Sequence, residues 1–133
     1  MTAVRAQTSL EFLSLLGVLL IMLVFFSLVS YQRSMELNRA AVSAAGWRAC
    51  ELVSLEVNSA SSVGEGYEHS FNLPMKLDGT QDYSLEISAS ERAVRANWSG
   101  GQCLMPVIPS DYSGAPAQGY NRVRNVGGVI VFG

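Results

Sequence analysis

Phe12–Val29 reads FLSLLGVLLIMLVFFSLV and contains no charged side chain. At about 1.5 Å per residue, a helix over this stretch would be roughly 27 Å long, close to the thickness of the hydrocarbon core of a bilayer. The stretch therefore predicts a membrane-spanning helix. One alternative is a buried core helix, but the remaining chain is too small to surround such a rod. Another is a cleaved secretory signal, whose apolar part is usually only about 7–15 residues long.

The composition of the whole chain limits the function classes. The chain has 133 residues, enough for one small domain, and nine basic against eleven acidic side chains. Without a basic excess, nucleic acid is not an expected partner. The sequence has a single histidine and no P-loop, nucleophile elbow or H-E-x-x-H motif. We therefore expect no enzymatic activity, no cofactor and no metal site.

A short motif lies directly before and across the start of the apolar stretch. Gln7, Ser9, Glu11 and Leu15 stand at the offsets of the pattern Q-x-S-x-E-x-x-x-L. This pattern resembles the class III signal peptide of archaeal type IV pilin-like proteins, and the resemblance covers residues 1 to about 31. It implies that a prepilin signal peptidase cuts between Ala6 and Gln7 and removes residues 1–6 as a leader. It also implies a structural subunit of a surface filament, used in adhesion or surface attachment.

The same resemblance implies an assembly role for Glu11, which would be the fifth residue after the cut. In type IV pilins the acid at that place pairs with the new terminal amine of a neighbouring subunit. The implied partners are identical or homologous pilin subunits in a homopolymer filament, with the membrane as the location before assembly. The other interpretation of Glu11 is a boundary carboxylate that reaches water at the membrane surface.

The resemblance implies a cytoplasmic N-terminus and an extracellular filament after assembly. Three arginines after the apolar stretch, Arg33, Arg39 and Arg48, oppose this orientation, because positive charge is usually enriched on the cytoplasmic side. The motif takes precedence in our prediction, and the conflict with the charge rule stands.

Helical character continues beyond the apolar stretch. Val42, Gly46, Cys50, Val53 and Val57 recur at steps of three and four residues and therefore share one helix face. We predict one helix over residues 7–60, whose apolar half at 10–31 projects and whose amphipathic half forms the spine of a small domain. Gly46 either bends this helix or permits close packing against it.

Residues 61–133 are predicted to form an extracytoplasmic antiparallel β domain of four to six strands. Alternation of apolar and polar residues is strict in two segments and ragged in two others, and a Gly-Gly pair separates the last two. The predicted strands are Tyr83–Ser88, Val94–Trp98, Tyr67–Leu73, Gln102–Ile108, Arg122–Asn125 and Val129–Phe132. Residues 110–119 are predicted to be a loop. The fold class is thus α+β, a long helix packed on a small antiparallel sheet, as in type IV pilins.

Three further features of the domain are candidate sites. Cys50 and Cys103 are predicted to form a disulfide if the domain is outside the cytoplasm, and two buried free thiols are the alternative. Asn97, in Asn97-Trp98-Ser99, begins the only N-x-S/T sequon and is a candidate for glycosylation. Asp78 and Asp82 bracket a turn, which we interpret as a solvated turn in preference to a calcium site.

Other functions remain open on sequence grounds. A membrane-anchored extracytoplasmic binding module would have the same span and domain but would never polymerise. An enzyme on a membrane tether would need a cluster of polar groups in a cleft, and the sequence contains no such pattern. An archaellin would share the long helix, but archaellins typically have glycines around the cleavage site and a larger domain.

Overall fold

The computed structural model describes the backbone of residues 2–109 and 111–133 and the side chains of 10–109 and 111–133. Two residues of the predicted signal motif, Gln7 and Ser9, and Ala6 of the predicted cleavage site therefore lie outside the described side chains. By its internal contacts the chain forms two units, one ending at Asn38 and the other comprising Arg39–Gly133.

A single α-helix, α1, spans Thr2–Val63 and belongs to both units. The predicted helix over residues 7–60 is therefore confirmed and extended at both ends. It ends where Gly64 adopts a positive φ of 89° and donates its backbone N–H to the carbonyl of Ala60 at 3.3 Å. This left-handed conformation is one that glycine adopts readily, and it closes the last turn of the helix.

Seven strands follow α1 in the described residues, and the α+β class is confirmed. They are β1 Glu68–Leu73, β2 Tyr83–Ser88, β3 Ala93–Trp98, β4 Gly101–Pro106, β5 Tyr112–Ser113, β6 Gly119–Val126 and β7 Val129–Phe132.

The strands form two sheets, with the orders β1-β6-β7-β5 and β2-β3-β4, where the sequence predicted one. The predicted loop at 110–119 contains the short strand β5, which pairs parallel to β7. All the other strand pairs are antiparallel.

The turn between β6 and β7 confirms the predicted hairpin. Gly127 and Gly128 both have positive φ angles, 60° and 90°. Two-residue hairpin turns of this kind match the right-handed twist of the strands they join, and they require residues that tolerate positive φ. Asn125 accepts a hydrogen bond at Oδ1 from the N–H of Gly128 at 3.0 Å, which closes the turn.

The core of the second unit lies between the predicted inner face of α1 and the sheets. All five residues of that face are buried, and Cys50, Val53 and Val57 are fully so. The structure also assigns a packing role to Gly46. A Cβ atom at this position would lie 2.7 Å from the indole ring of Trp98, so only glycine permits this approach of β3 to the helix.

Candidate functional site

The largest apolar surface of the described chain is the part of α1 that precedes Tyr31. The large apolar side chains from Leu10 to Val29 are between 39% and 74% exposed, and they cover all sides of the helix. An exposed apolar surface of this extent marks a contact with lipid or with other proteins. In the described residues this is the one helix long and apolar enough to cross a membrane.

The two hydroxyl groups within the apolar stretch are satisfied by the helix itself. Ser14 Oγ donates to the carbonyl of Glu11 at 2.8 Å, and Ser27 Oγ donates to the carbonyl of Leu23 at 2.8 Å. Such bonds to the preceding turn remove the need for water around a buried hydroxyl. The whole stretch is therefore compatible with an environment that contains no water.

Glu11 is exposed and lies at the N-terminal end of this stretch. Leu15, the last residue of the predicted motif, lies four residues further on and is 63% exposed. Residues four apart are neighbours on a helix surface, so the two side chains share one face. The motif thus presents a carboxylate and an apolar side chain together at the edge of the apolar surface.

One side of the apolar stretch forms a shallow groove. Its lining consists of Leu20, Ile21, Val24, Phe25 and Leu28, which recur at the spacing of a single helix face. Grooves between such rows of side chains are the surfaces into which a second helix packs. This helix therefore offers a packing surface for a neighbour as well as a surface for lipid.

Cys50 on α1 and Cys103 on β4 meet in the core, as the disulfide prediction requires, but both are free thiols. The predicted bond is thus not present in the structure. The Cys50 Sγ donates to the carbonyl of Val94 at 3.6 Å. The Cys103 thiol lies close enough to Cys50 to influence its acidity.

Burial changes the acidity of both thiols. It raises the pKa of Cys50 far above its ordinary value, and the neighbouring Cys103 raises it further. Burial also raises the pKa of Cys103, while the neighbouring Cys50 opposes this rise and the charge of Glu51 adds to it. A thiolate is the form that reacts with oxidants and metals. In the folded, reduced protein this pair is therefore protonated and unreactive at neutral pH.

Asn97 lies where the sequence predicts. Ala96 and Trp98, its neighbours on β3, are buried, while Asn97 itself is half-buried on the opposite face of the sheet. Asp78 and Asp82 belong to a tight turn that is closed by backbone hydrogen bonds. Lys76 Nζ forms an exposed ion pair with Asp82 Oδ1 at 3.2 Å. The interpretation of this segment as a solvated turn stays a prediction.

The structure also brings together a polar cluster that the sequence analysis missed. Glu56 on α1 accepts a hydrogen bond from Tyr67 OH at 3.2 Å and lies 2.9 Å from His69 Nδ1. Burial, followed by the charge of Glu56, raises the pKa of Tyr67. The only sequence feature that pointed to this cluster was the position of Glu56 beside the apolar helix face. That position does not reveal which residue of β1 lies near it. The cluster fastens the end of the helix to the first strand.

Comparisons of the chain with protein-family models, with curated proteins and with solved structures found no match.

Proposed function

We propose that this chain is a structural subunit of an archaeal type IV pilus-like surface filament, with adhesion or surface attachment as its role. One observation carries the proposal: the motif of Gln7, Ser9, Glu11 and Leu15 lies at the start of a helical stretch whose apolar side chains are exposed on all sides. The apolar side chains of such an isolated helix need to be shielded from water by lipid or by another protein. Lipid covers it in the precursor, and the helices of neighbouring subunits cover it in the filament.

The proposed sequence of insertion, cleavage and assembly begins in the membrane. The precursor is inserted with its N-terminus in the cytoplasm, and the signal peptidase removes residues 1–6. The apolar stretch then moves from lipid into the filament core, where the groove lined by Leu20, Val24 and Leu28 receives side chains of a neighbour. The domain of the second unit forms the extracellular surface. The internal hydrogen bonds of Ser14 and Ser27 support this transfer, since neither hydroxyl needs water.

Glu11 sets the register between subunits in this proposal. Its carboxylate pairs with the terminal ammonium that cleavage creates on a neighbouring chain. Removing one partner of a buried ion pair leaves the other charge uncompensated, which costs about 3–5 kcal/mol. A carboxylate that only reaches water at the membrane surface would contribute nothing to assembly.

As a further part of the proposal, Cys50 and Cys103 form a disulfide outside the cytoplasm while the domain folds, before burial makes the thiols unreactive. The two thiols lose two electrons and two protons, and a small-molecule disulfide takes them up and is reduced to two thiols. The bond would close a loop of more than fifty residues. By restricting the unfolded chain, it would raise the free energy of unfolding by about 4 kcal/mol. Intact mass before and after alkylation in denaturant, without reductant, tests this, because unfolding exposes any free thiol: two alkylated cysteines in the exported protein would contradict it.

The test of the proposed function compares three chains, each expressed as the sole subunit in cells that assemble such filaments. Filaments are sheared from the cells and separated from membranes. We expect the wild-type chain in the filament fraction and Glu11→Gln in the membrane fraction, with normal insertion and cleavage. Ser14→Ala is the matched control, since its hydroxyl bonds only to its own helix, and it should assemble normally.

Each contrary result has a definite meaning. Wild-type chain that stays in the membrane, with no filaments, would contradict the filament proposal and favour the membrane-anchored binding module. Normal assembly of Glu11→Gln would contradict the registration role while leaving the filament proposal in place.

A further inference from the structure

The sequon Asn97-Trp98-Ser99 lies at the junction of a strand and a turn. Asn97 is the last but one residue of β3, and Ser99 with Gly100 forms the turn into β4. Gly100 has a positive φ of 97°, which reverses the chain. The hydroxyl-bearing residue of the sequon is therefore at an exposed turn, directly beside the strand end that holds the asparagine.

The side chains of the sequon are divided between the two faces of the sheet. Trp98 is buried against Gly46 of the helix, while Asn97 faces the other way and Ser99 is exposed. Successive residues of a strand point to opposite faces, and residues two apart point to the same face. The pattern therefore directs the carboxamide of Asn97 away from the core.

The surroundings of Asn97 leave room for a bulky group. Its cross-strand neighbours are Ser84 on β2 and Gln102 on β4, both exposed and uncharged. The next row along the sheet contains Arg95, which is held by Glu91 at 2.6 Å. A substituent on Asn97 would meet the exposed polar side chains of Ser84 and Gln102 and solvent, and it would displace no buried residue.

The carboxamide of Asn97 is also chemically uncommitted. Among the described residues, side-chain hydrogen bonds to the backbone occupy the carboxamides of Asn58, Asn121 and Asn125 but not that of Asn97. Conversion of its Nδ2 to a substituted amide would break no hydrogen bond that stabilises the fold. Asn58, Asn121 and Asn125 could not be modified without such a loss.

We propose that Asn97 is an N-glycosylation site of the exported domain, an inference that rests on the proposed extracellular location. In the reaction, Nδ2 of Asn97 bonds to the anomeric carbon of a glycan that is carried on a polyprenyl phosphate lipid. The bond between that carbon and the phosphate oxygen breaks, the lipid phosphate leaves, and the amide proton passes to a base of the transferase. Ser99 is the recognition residue. Because β3 is the central strand of its sheet, the transfer precedes completion of that sheet.

The test uses the full chain purified from its native cells and digested with trypsin. After reduction of any disulfide at Cys103, cleavage after Arg95 and Arg122 releases residues 96–122, a peptide that contains Asn97 and also Asn121. Electron-transfer fragmentation then assigns any added mass to one residue. We expect the glycan on Asn97 and none on Asn121, which is 4% exposed and lies outside any sequon.

Variants separate recognition of the sequon from adventitious modification. Asn97→Gln and Ser99→Ala should abolish the added mass, whereas Ser99→Thr should retain it, because threonine also completes a sequon. An unmodified peptide from the wild-type chain would overturn the proposal. Persistence of the mass in Ser99→Ala would overturn it as well.

The same sample distinguishes failure of this inference from failure of the proposed function. A chain that begins at Gln7 and carries an unmodified Asn97 would reject the glycan alone. A chain that keeps Met1 and carries the glycan would support the glycan and reject the processing. A domain protected from external protease in intact cells, with Asn97 unmodified, would reject both.

Discussion

Trp98 is confined by two glycines, one on the helix and one on the neighbouring strand. A Cβ atom at Gly46 would lie 2.7 Å from the indole ring, and one at Gly101 would lie 2.8 Å from it. The ring therefore has little freedom to move away from either position. Close packing of this kind makes small additions of volume costly, by about 1–3 kcal/mol.

Gly46→Ala should therefore destabilise the second unit, although alanine is the better helix former by about 1 kcal/mol. We expect the clash with Trp98 to outweigh this gain and to lower the melting temperature of the full chain in detergent, followed by tryptophan fluorescence. Gly17→Ala makes the same change in the same helix, where nothing lies within 4 Å of the new methyl group. It should leave the transition unchanged. Equal melting temperatures of wild type and Gly46→Ala would show that the Trp98 ring can shift to accommodate the added methyl group.

The buried thiols predict a pH dependence in the reduced protein. Folding raises the pKa of Cys50 and of Cys103, so the unfolded chain releases their protons near pH 8.5 while the folded chain retains them. Their contribution to stability is complete below that pH and is lost as the pH rises above it. For each thiol the expected loss is about 1.4 kcal/mol per pH unit, over the pH range in which the unfolded chain has released the proton and the folded chain still holds it.

The measurement is the free energy of unfolding against pH, under reducing conditions, for wild type and for the double variant Cys50→Ala, Cys103→Ala. The wild-type curve should fall more steeply above pH 9. Tyr67, Tyr83 and Tyr112 also have raised pKa values, but they are present in both proteins and cancel in the difference. Parallel curves would mean that the thiols are not held protonated by the fold.

The end of the helix and the last hairpin are joined by one buried side chain. Asn125 donates from Nδ2 to the carbonyl of Ala60 at 2.8 Å and accepts at Oδ1 from the N–H of Gly128 at 3.0 Å. Asn125→Ala removes both bonds and leaves two backbone groups without this partner. The expected loss of unfolding free energy is about 1–3 kcal/mol. Asn72→Ala on β1, where the side chain is exposed, should change it by less than about 0.5 kcal/mol. Equal effects of the two changes would contradict this role.

Local patterns were sufficient to predict the main elements. The three-to-four spacing from Val42 to Val57 predicted the buried helix face, and the alternation in Tyr83–Ser88 predicted β2 with its correct bounds. Gly127 and Gly128 predicted the hairpin. In each case the signal lies within a few residues of the structure that it produces, so no knowledge of distant contacts was needed.

Features that depend on distant contacts could not be predicted in this way. Strand β5 has only two residues and exists because Tyr112 and Ser113 pair with Ile130 and Val131 of β7. The division into two sheets likewise follows from which strands meet, and alternation does not encode this. For the candidate site, the sequence located Cys50, Cys103 and Asn97, but only the fold shows that the cysteines meet and that Glu56 binds Tyr67.

At the scale of the whole molecule, two surfaces with opposite properties occur in one chain. The helix before Tyr31 exposes apolar side chains on all sides, while the second unit buries its apolar residues around α1 and the sheets. A protein of this kind is stable in water only when another apolar phase or another chain covers the exposed helix. The proposed filament would provide that cover through identical subunits, and cleavage at the proposed signal motif would allow the chain to leave the membrane.

The most direct test of the central claim is the N-terminal residue of the chain in sheared, purified surface filaments. Trypsin cleaves after Arg5 and would produce a peptide that begins at Ala6, so a peptide that begins at Gln7 requires a cut between Ala6 and Gln7 that trypsin does not make. We predict that the filaments contain this chain and that its first residue is Gln7. Filaments that lack the chain, or a chain that begins at Met1 or beyond Ser30, would contradict the account.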